Sequence, residues 1–338
     1  MKLLSLCLSL LGGCDFGYVA PCVVNDRTLP IETTVPARVE GRSDGSAVVL
    51  ASPGRIIVLD SRGEITSDVP HSVEVNNLLI DQLETASEGK YVTVSVQPGP
   101  SSTDESHATV EIDGAFEREL PFGARVKLAG LRPITFGVAL LWADDALGTV
   151  FRSLIRFDSD IIDTRAVATY DRAWVQDASA RFLSAIDETA LVIRTDTSLV
   201  LERVSDGAIT GIPEPANAIG WNVGEIVLAS SSDARIAVGR TLFGTPFTPP
   251  FPYLARNLNI RLITPAPHGI GLIGVDASGV YALIFDSANQ KVGGDLSLGE
   301  FSSFAGGALM PTTDGYRWIH STATSVVVSD IVCRDLRQ

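Results

Sequence analysis

No stretch of this chain holds the roughly twenty consecutive apolar residues that a membrane-crossing helix needs. Lysine is nearly missing: Lys2, Lys90, Lys127 and Lys291 are the whole set. Acidic residues outnumber basic ones 40 to 26, which leaves a net charge of −14. So acidic a surface excludes nucleic acid as a partner and excludes polybasic docking on anionic lipid. Arginine carries nearly all the positive charge, which reads as coding bias. The chain has no CxxC and no Cys/His cluster for zinc, and no DxDxDG-like run for calcium. It also lacks GxSxG, a phosphate-binding loop, and GxGxxG opening a helix. No cofactor or metal is therefore expected. Amphipathic helical periodicity is absent at any useful length. What is present is 45% hydrophobic and 20% charged residues over 338 positions. That is enough for a buried core in one large or two ordinary domains, and the chain is not disordered.

The first residues have an order of their own. Lys2 is followed by an apolar run, Leu3 to Leu11, then Gly12, Gly13 and Cys14. A positive start, a short apolar core and small residues form a secretory signal. Leu11-Gly12-Gly13-Cys14 resembles the lipobox of bacterial lipoproteins. The resemblance implies removal of residues 1–13, a diacylglyceryl thioether on Cys14 and an acyl chain on the new amino terminus. Several acyl chains on one residue suffice for stable anchoring. The expected partner of this segment is thus a lipid bilayer, in a bacterial cell envelope. Asp15 resembles the inner-membrane retention signal of the enterobacterial sorting scheme, which other lineages do not follow reliably, so the leaflet stays open. Cys7 leaves with the signal. Cys22 and Cys333 remain, in an exported compartment that permits disulfides.

Short β-rich runs recur along the rest of the chain. They align at Asp60, Asp113, Asp158, Arg203, Arg240, Asp286 and Asp330, with a mean period of about 45 residues. Each has a second strand just upstream, such as 46–52, 89–96, 136–142, 189–195, 224–230, 269–275 and 315–320, and several have a weaker one before that. Val, Ile and Leu dominate the runs, and Gly, Ser and Asp bound them. About four strands per repeat is the period of a β-propeller blade. The expected fold class is all-β, a propeller of seven four-stranded blades over 31–338, resembling the WD40-like class in period only. Six or eight blades, or a pair of β-sandwiches, are the alternatives. The last repeat lacks an outermost strand, and 18–25 is a strand with no repeat of its own. Residues 14–30 are therefore expected to hold the anchor and a ring-closing strand. That pairing would set Cys22 beside Cys333 and join them.

A propeller does not choose a function. His71, His107, His268 and His320 fall in different repeats without ligand spacing. The recurring aspartates suit turn closure by their own side chains. Asp144 and Asp145 form the clearest acidic pair, and a solvated loop accounts for them. The long connections 96–107 and 142–153 each join a second strand to a third. They are expected on one face, with Ser101, Asp104, Asp144 and Asp145 as candidate binding residues. The stretch 245–253 is rich in Pro, which belongs on an edge strand or in a connection. Its Phe247, Phe251 and Tyr253 are a candidate aromatic patch. The preferred expectation is an envelope-anchored, non-enzymatic binding or scaffold module for a protein or glycan partner. The rivals are a hydrolase or lyase acting on a sugar or lactone at the channel mouth, and a purely structural surface protein.

Overall fold

Aliphatic and β-branched runs that are bounded by turn residues become strands, and the chain is nearly all β. The computed structural model describes residues 22–41, 45–52, 54–70, 92–97, 106–112, 116–122, 126–134, 137–144, 147–156, 162–169, 181–187, 190–194, 199–203, 207–212, 218–222, 225–230, 235–240, 251–252, 258–300 and 307–336. Strand β1 spans Cys22–Glu32. The first sheet follows, with β2 (Arg38–Gly41), β3 (Ala47–Ala51), β4 (Arg55–Leu59) and β5 (Ile65–Pro70). The second has three described strands, β6 (Val92–Gln97), β7 (Ser106–Ile112) and β8 (Phe116–Phe122). The third holds β9 (Val126–Ile134), β10 (Gly137–Asp144), β11 (Thr149–Arg156) and β12 (Ile162–Thr169). The fourth holds β13 (Arg181–Asp187), β14 (Ala190–Arg194), β15 (Leu199–Arg203) and β16 (Ile209–Ile212). In the fifth are β17 (Ala218–Asn222), β18 (Glu225–Ser230), β19 (Arg235–Arg240) and β20 (Phe251–Pro252). In the sixth are β21 (Asn259–Ala266), β22 (Gly269–Asp276), β23 (Gly279–Asp286) and β24 (Leu296–Gly299). The seventh has β25 (Gly307–Thr312), β26 (Gly315–Ser321) and β27 (Ser325–Cys333), and its fourth strand is β1.

Every sheet is antiparallel, its strands follow one another in chain order except that β1 completes the seventh, and first strands of successive sheets lie side by side from β9 through β13, β17, β21 and β25 to β2. Sheets therefore stack face to face, and the middle strands are covered on both sides. This is why β22 and β23 are buried along nearly their whole length and read as continuous apolar runs instead of alternating ones. The outermost β5 is exposed almost throughout. Close stacking also explains one glycine: a Cβ on Gly271 would fall 2.8 Å from the Tyr316 ring of the next sheet.

The repeat alignment places its marker residues consistently. Asp60 follows β4, Asp286 ends β23, and Arg203 and Arg240 end β15 and β19, all third strands. Asp60 Oδ1 accepts the N–H groups of Arg62 and Glu64, each at 2.8 Å. Asp286 Oδ1 does the same for Ala288 at 2.9 Å and Gln290 at 2.8 Å. One turn is thus built twice from the same side chain. The left-handed position in it is Gly63 (φ 75°) in one case and Asn289 (φ 61°) in the other. Asp330 departs from this pattern. It lies inside β27, where it pairs with Arg317 Nε at 2.6 Å. Asp113 and Asp158 lie outside the described residues.

The seventh sheet joins the two ends of the chain. β1 runs antiparallel to β27 with Cys22 opposite Cys333. The two cysteines form a disulfide with Cα atoms 4.0 Å apart, linking positions separated by 311 residues. Both are buried. The other face of this sheet meets the first: Leu29, Ile31, Ala308, Met310, Ile319, Val326 and Val328 share one apolar core with Val39, Ala47, Val49 and Ile57.

Candidate functional site

Turns of the sheets fall on two faces. On one, the connection into β2 meets the turns between second and third strands. Thr33 N–H donates to Thr324 O at 3.2 Å, Thr34 N–H to Ser52 O at 3.3 Å, and Ala37 N–H to Ser321 Oγ at 2.7 Å. On the other, turns between first and second strands meet. His268, in the sixth sheet, lies 3.1 Å by Nε2 from Gly315 O of the seventh. Cys333 N–H donates to Asp314 O at 2.8 Å, so Cys22 and Cys333 lie at this second face. We call the first the hairpin face and the second the entry face.

The β10–β11 hairpin is the best-defined candidate element on the hairpin face. The connection is shorter than the sequence suggested. Residues 142–144 and 149–153 of the segment read as a loop are strand, because Thr149-Val150-Phe151 favours β structure and Gly148 (φ 61°) makes a tight return. Asp144 closes the turn. Its Oδ1 accepts Leu147 N–H at 3.1 Å, and its backbone oxygen accepts Gly148 N–H at 2.9 Å. This fixed turn presents Leu147 at 66% exposure, the highest among exposed large apolar side chains of the described residues. Below the tip, Trp142 stacks on Phe151 with ring centroids 4.6 Å apart. Trp142 Nε1–H donates to Ser153 Oγ at 2.9 Å, and Ser153 Oγ lies 2.8 Å from Thr164 Oγ1. The aromatic pair and the hydroxyl chain fix three strands under the tip.

Asp145, Ser101 and Asp104 lie outside the described residues, as do Phe247, Tyr253 and Cys14. Phe251 falls in β20, which pairs with β19 at the outer edge of the fifth sheet. His71 also lies outside, and His107 is placed only as a member of β7. The two histidines described in full do not meet. His268 sits at the entry-face end of β26, beside Tyr316. His320 is near the opposite end of that strand, stacked on Trp318 with centroids 5.4 Å apart. The convergence that a hydrolase or lyase requires is thus not made by these two. Among the described residues no group of three or more His, Cys, Asp or Glu could hold a metal ion.

Two buried polar features stand out, one at a histidine named from the sequence and one at residues the sequence did not mark. Burial pushes the His320 pKa below its usual value, against an opposing pull from Asp26, and its Nδ1 has no hydrogen-bond partner. The second is an ion cluster between the third and fourth sheets. Arg152 of β11 is fully buried and Glu202 of β15 is 1% exposed. Arg152 Nε donates to both Glu202 carboxylate oxygens, at 3.0 and 3.1 Å, and Nη2 adds a further bond. Nη1 reaches Asp163 O at 3.2 Å and its carboxylate at 3.3 Å. Burial alone would lower the guanidinium pKa, but Glu202 and then Asp163 outweigh it, so the net shift is upward. Arg152 shares strand parity with buried Val150 and Leu154. A charge at core parity was the signal available in the sequence.

With this geometry in hand, solved structures give the fold. Virginiamycin B lyase from Staphylococcus aureus matches with a TM-score of 0.59 and 15% identity, over 92% of this chain and 100% of that one. A complex of KlAtg21 with the coiled coil of AgAtg16 matches with a TM-score of 0.58 and 12% identity, over 88% and 99%. A prolyl endopeptidase structure gives 0.56 and 16%, over 88% of this chain and 47% of that one. The fold is β-propeller-like. No family model matches the chain, and no curated protein sequence matches it.

Proposed function

We propose that this chain is an exported, lipid-anchored β-propeller that binds a protein or glycan partner in a bacterial envelope. In this reading the seven sheets are seven blades. The amino-terminal strand closes the ring, and Cys14 carries the lipid. The observation that carries it is the Cys22–Cys333 disulfide, set between the first and last strands of the described residues. Such a bond belongs to an oxidising compartment. The amino-terminal segment supplies the export signal, and its Cys14 supplies the anchor. The partner surface is the hairpin face, where a rigid scaffold holds the exposed Leu147 beside Asp144.

Two measurements test this. Mass spectrometry of the amino-terminal peptide should find Cys14 as the first residue, with its thioether lipid. Chemical crosslinking in intact envelopes should capture one stoichiometric partner, and Leu147→Asp should weaken that capture. A wild-type protein that crosslinks to nothing, or a variant that crosslinks as well as wild type, would contradict the assignment.

A further inference from the structure

We propose that the entry face of the propeller rests toward the lipid bilayer and the hairpin face points away from it. This rests on the lipid anchor at Cys14. β1 begins at Cys22, opposite Cys333, and Cys333 is tied to Asp314 in the turn between β25 and β26. The chain that leads back to Cys14 therefore leaves the fold at the entry face. Eight residues separate Cys14 from Cys22, a reach of at most about 26–29 Å when fully extended. The sheets set the length to compare. Strand β22 has 8 residues between the two faces, which is roughly 24 Å. Turning the hairpin face to the lipid would consume nearly the whole extended reach of the tether and force it along the outer edge of the seventh sheet. The entry face needs none of that extension. Chain entropy therefore favours the entry face toward the lipid.

The two faces are also unlike in what they would offer a bilayer. At the entry face Arg27 and Arg317 are engaged. Arg27 bonds to Glu64 and to Arg62 O, and Arg317 bonds to Asp330 and to Ser61 O. The lipid chains, not side-chain charge, hold the protein to the surface. The hairpin face is left free, with Leu147 at its tip.

A pair of labels on the sixth sheet reads the orientation. Ala288 is exposed in the entry-face turn between β23 and β24, and Ala277 is exposed in the hairpin-face turn between β22 and β23. Each is changed singly to Cys in the lipidated protein, labelled with a fluorophore, and bound to vesicles of zwitterionic lipid doped with an acceptor lipid. The Ala288→Cys label should show several-fold stronger energy transfer than the Ala277→Cys label. Equal transfer, or stronger transfer from position 277, would overturn the orientation. The Cys14→Ala protein, carrying either label, should not bind the vesicles. If it binds, the anchor reading fails, and the orientation fails with it.

Discussion

The junction between the seventh sheet and the first is made differently from the junction between the third and the fourth. At the first junction the chain runs on from β1 to β2, but β1 itself is far in sequence from the other three strands of its sheet. A strand from one end completes a sheet from the other, a disulfide joins them, and an apolar core spans the sheets. Arg27 and Arg317 add hydrogen bonds to the backbone oxygens of Arg62 and Ser61 in the turn of the neighbouring sheet. At the second junction the chain runs on from β12 to β13, and a buried ion pair, Arg152–Glu202, bridges the sheets. The difference has a physical reason. Where each of two neighbouring sheets is built from consecutive strands, a buried pair need only fix their register. Where a sheet is completed by a strand from far away in the sequence, parting β1 from β27 would gain the entropy of a very long loop, and a covalent bond removes most of that gain.

The largest effect is expected at the second junction. Glu202→Ala leaves the Arg152 charge buried without its main partner, and should cost about 3–5 kcal/mol in denaturant unfolding. Changing both residues to apolar ones, Arg152→Met with Glu202→Leu, should recover most of that loss. A double variant as unstable as Glu202→Ala would mean that the pair supplies more than register.

Next comes the first junction. Replacing Cys22 and Cys333 with Ala should lower stability by about 2–4 kcal/mol, although the chain-entropy formula allows more for so long a loop. Hydrogen exchange should then show β1 and β27 losing protection before β22 and β23. Uniform loss across the sheets would contradict the picture of a separately closed junction.

A smaller effect separates the junctions by pH. Burial lowers the His320 pKa in the folded protein. As pH falls below about 6.5, the unfolded chain takes up a proton that the folded chain resists, so stability falls; above that value both states are neutral and the effect vanishes. The loss should reach up to about 1.4 kcal/mol for each pH unit between the two pKa values. Asp60 and Asp68 have lowered pKa values, from the Glu64 backbone hydrogen bond and from Arg55 respectively. Their stabilisation is lost only as pH falls below about 4. His320→Phe keeps a ring against Trp318 and should flatten the melting temperature between pH 5 and 7 to within about a degree. A slope as steep as that of wild type would place the titration elsewhere.

Smallest of all is the effect of Leu147→Asp on stability, within about 0.5 kcal/mol, because its side chain is exposed at a turn. Its effect belongs to partner capture.

The fold was legible where one residue type has one physical job. Asp60 and Asp286 close turns with their own carboxylates, so the repeat could be aligned on them. Cys22 and Cys333 had no other partner of their kind once Cys7 and Cys14 were assigned to the expected leader and lipid anchor, and the unpaired terminal strand brought them together. The pairing of Arg152 with Glu202 was not legible, because the two are 50 residues apart and meet only through the stacking of two sheets. Turn length was misjudged at 142–153 for a local reason. Gly148 allows a tight return that composition alone does not reveal. Of the candidate site, Asp144 was singled out in advance, but as a binding carboxylate. Its described role is to hold the turn that exposes Leu147, a residue the sequence did not mark.

The central claim is that the two ends of the chain are joined in one sheet through Cys22 and Cys333. Mass spectrometry of a non-reduced tryptic digest, alkylated before proteolysis, tests it most directly. One disulfide-linked peptide containing both cysteines, lost on reduction, is the expected result. Recovery of Cys22 and Cys333 on separate alkylated peptides without reduction would contradict it.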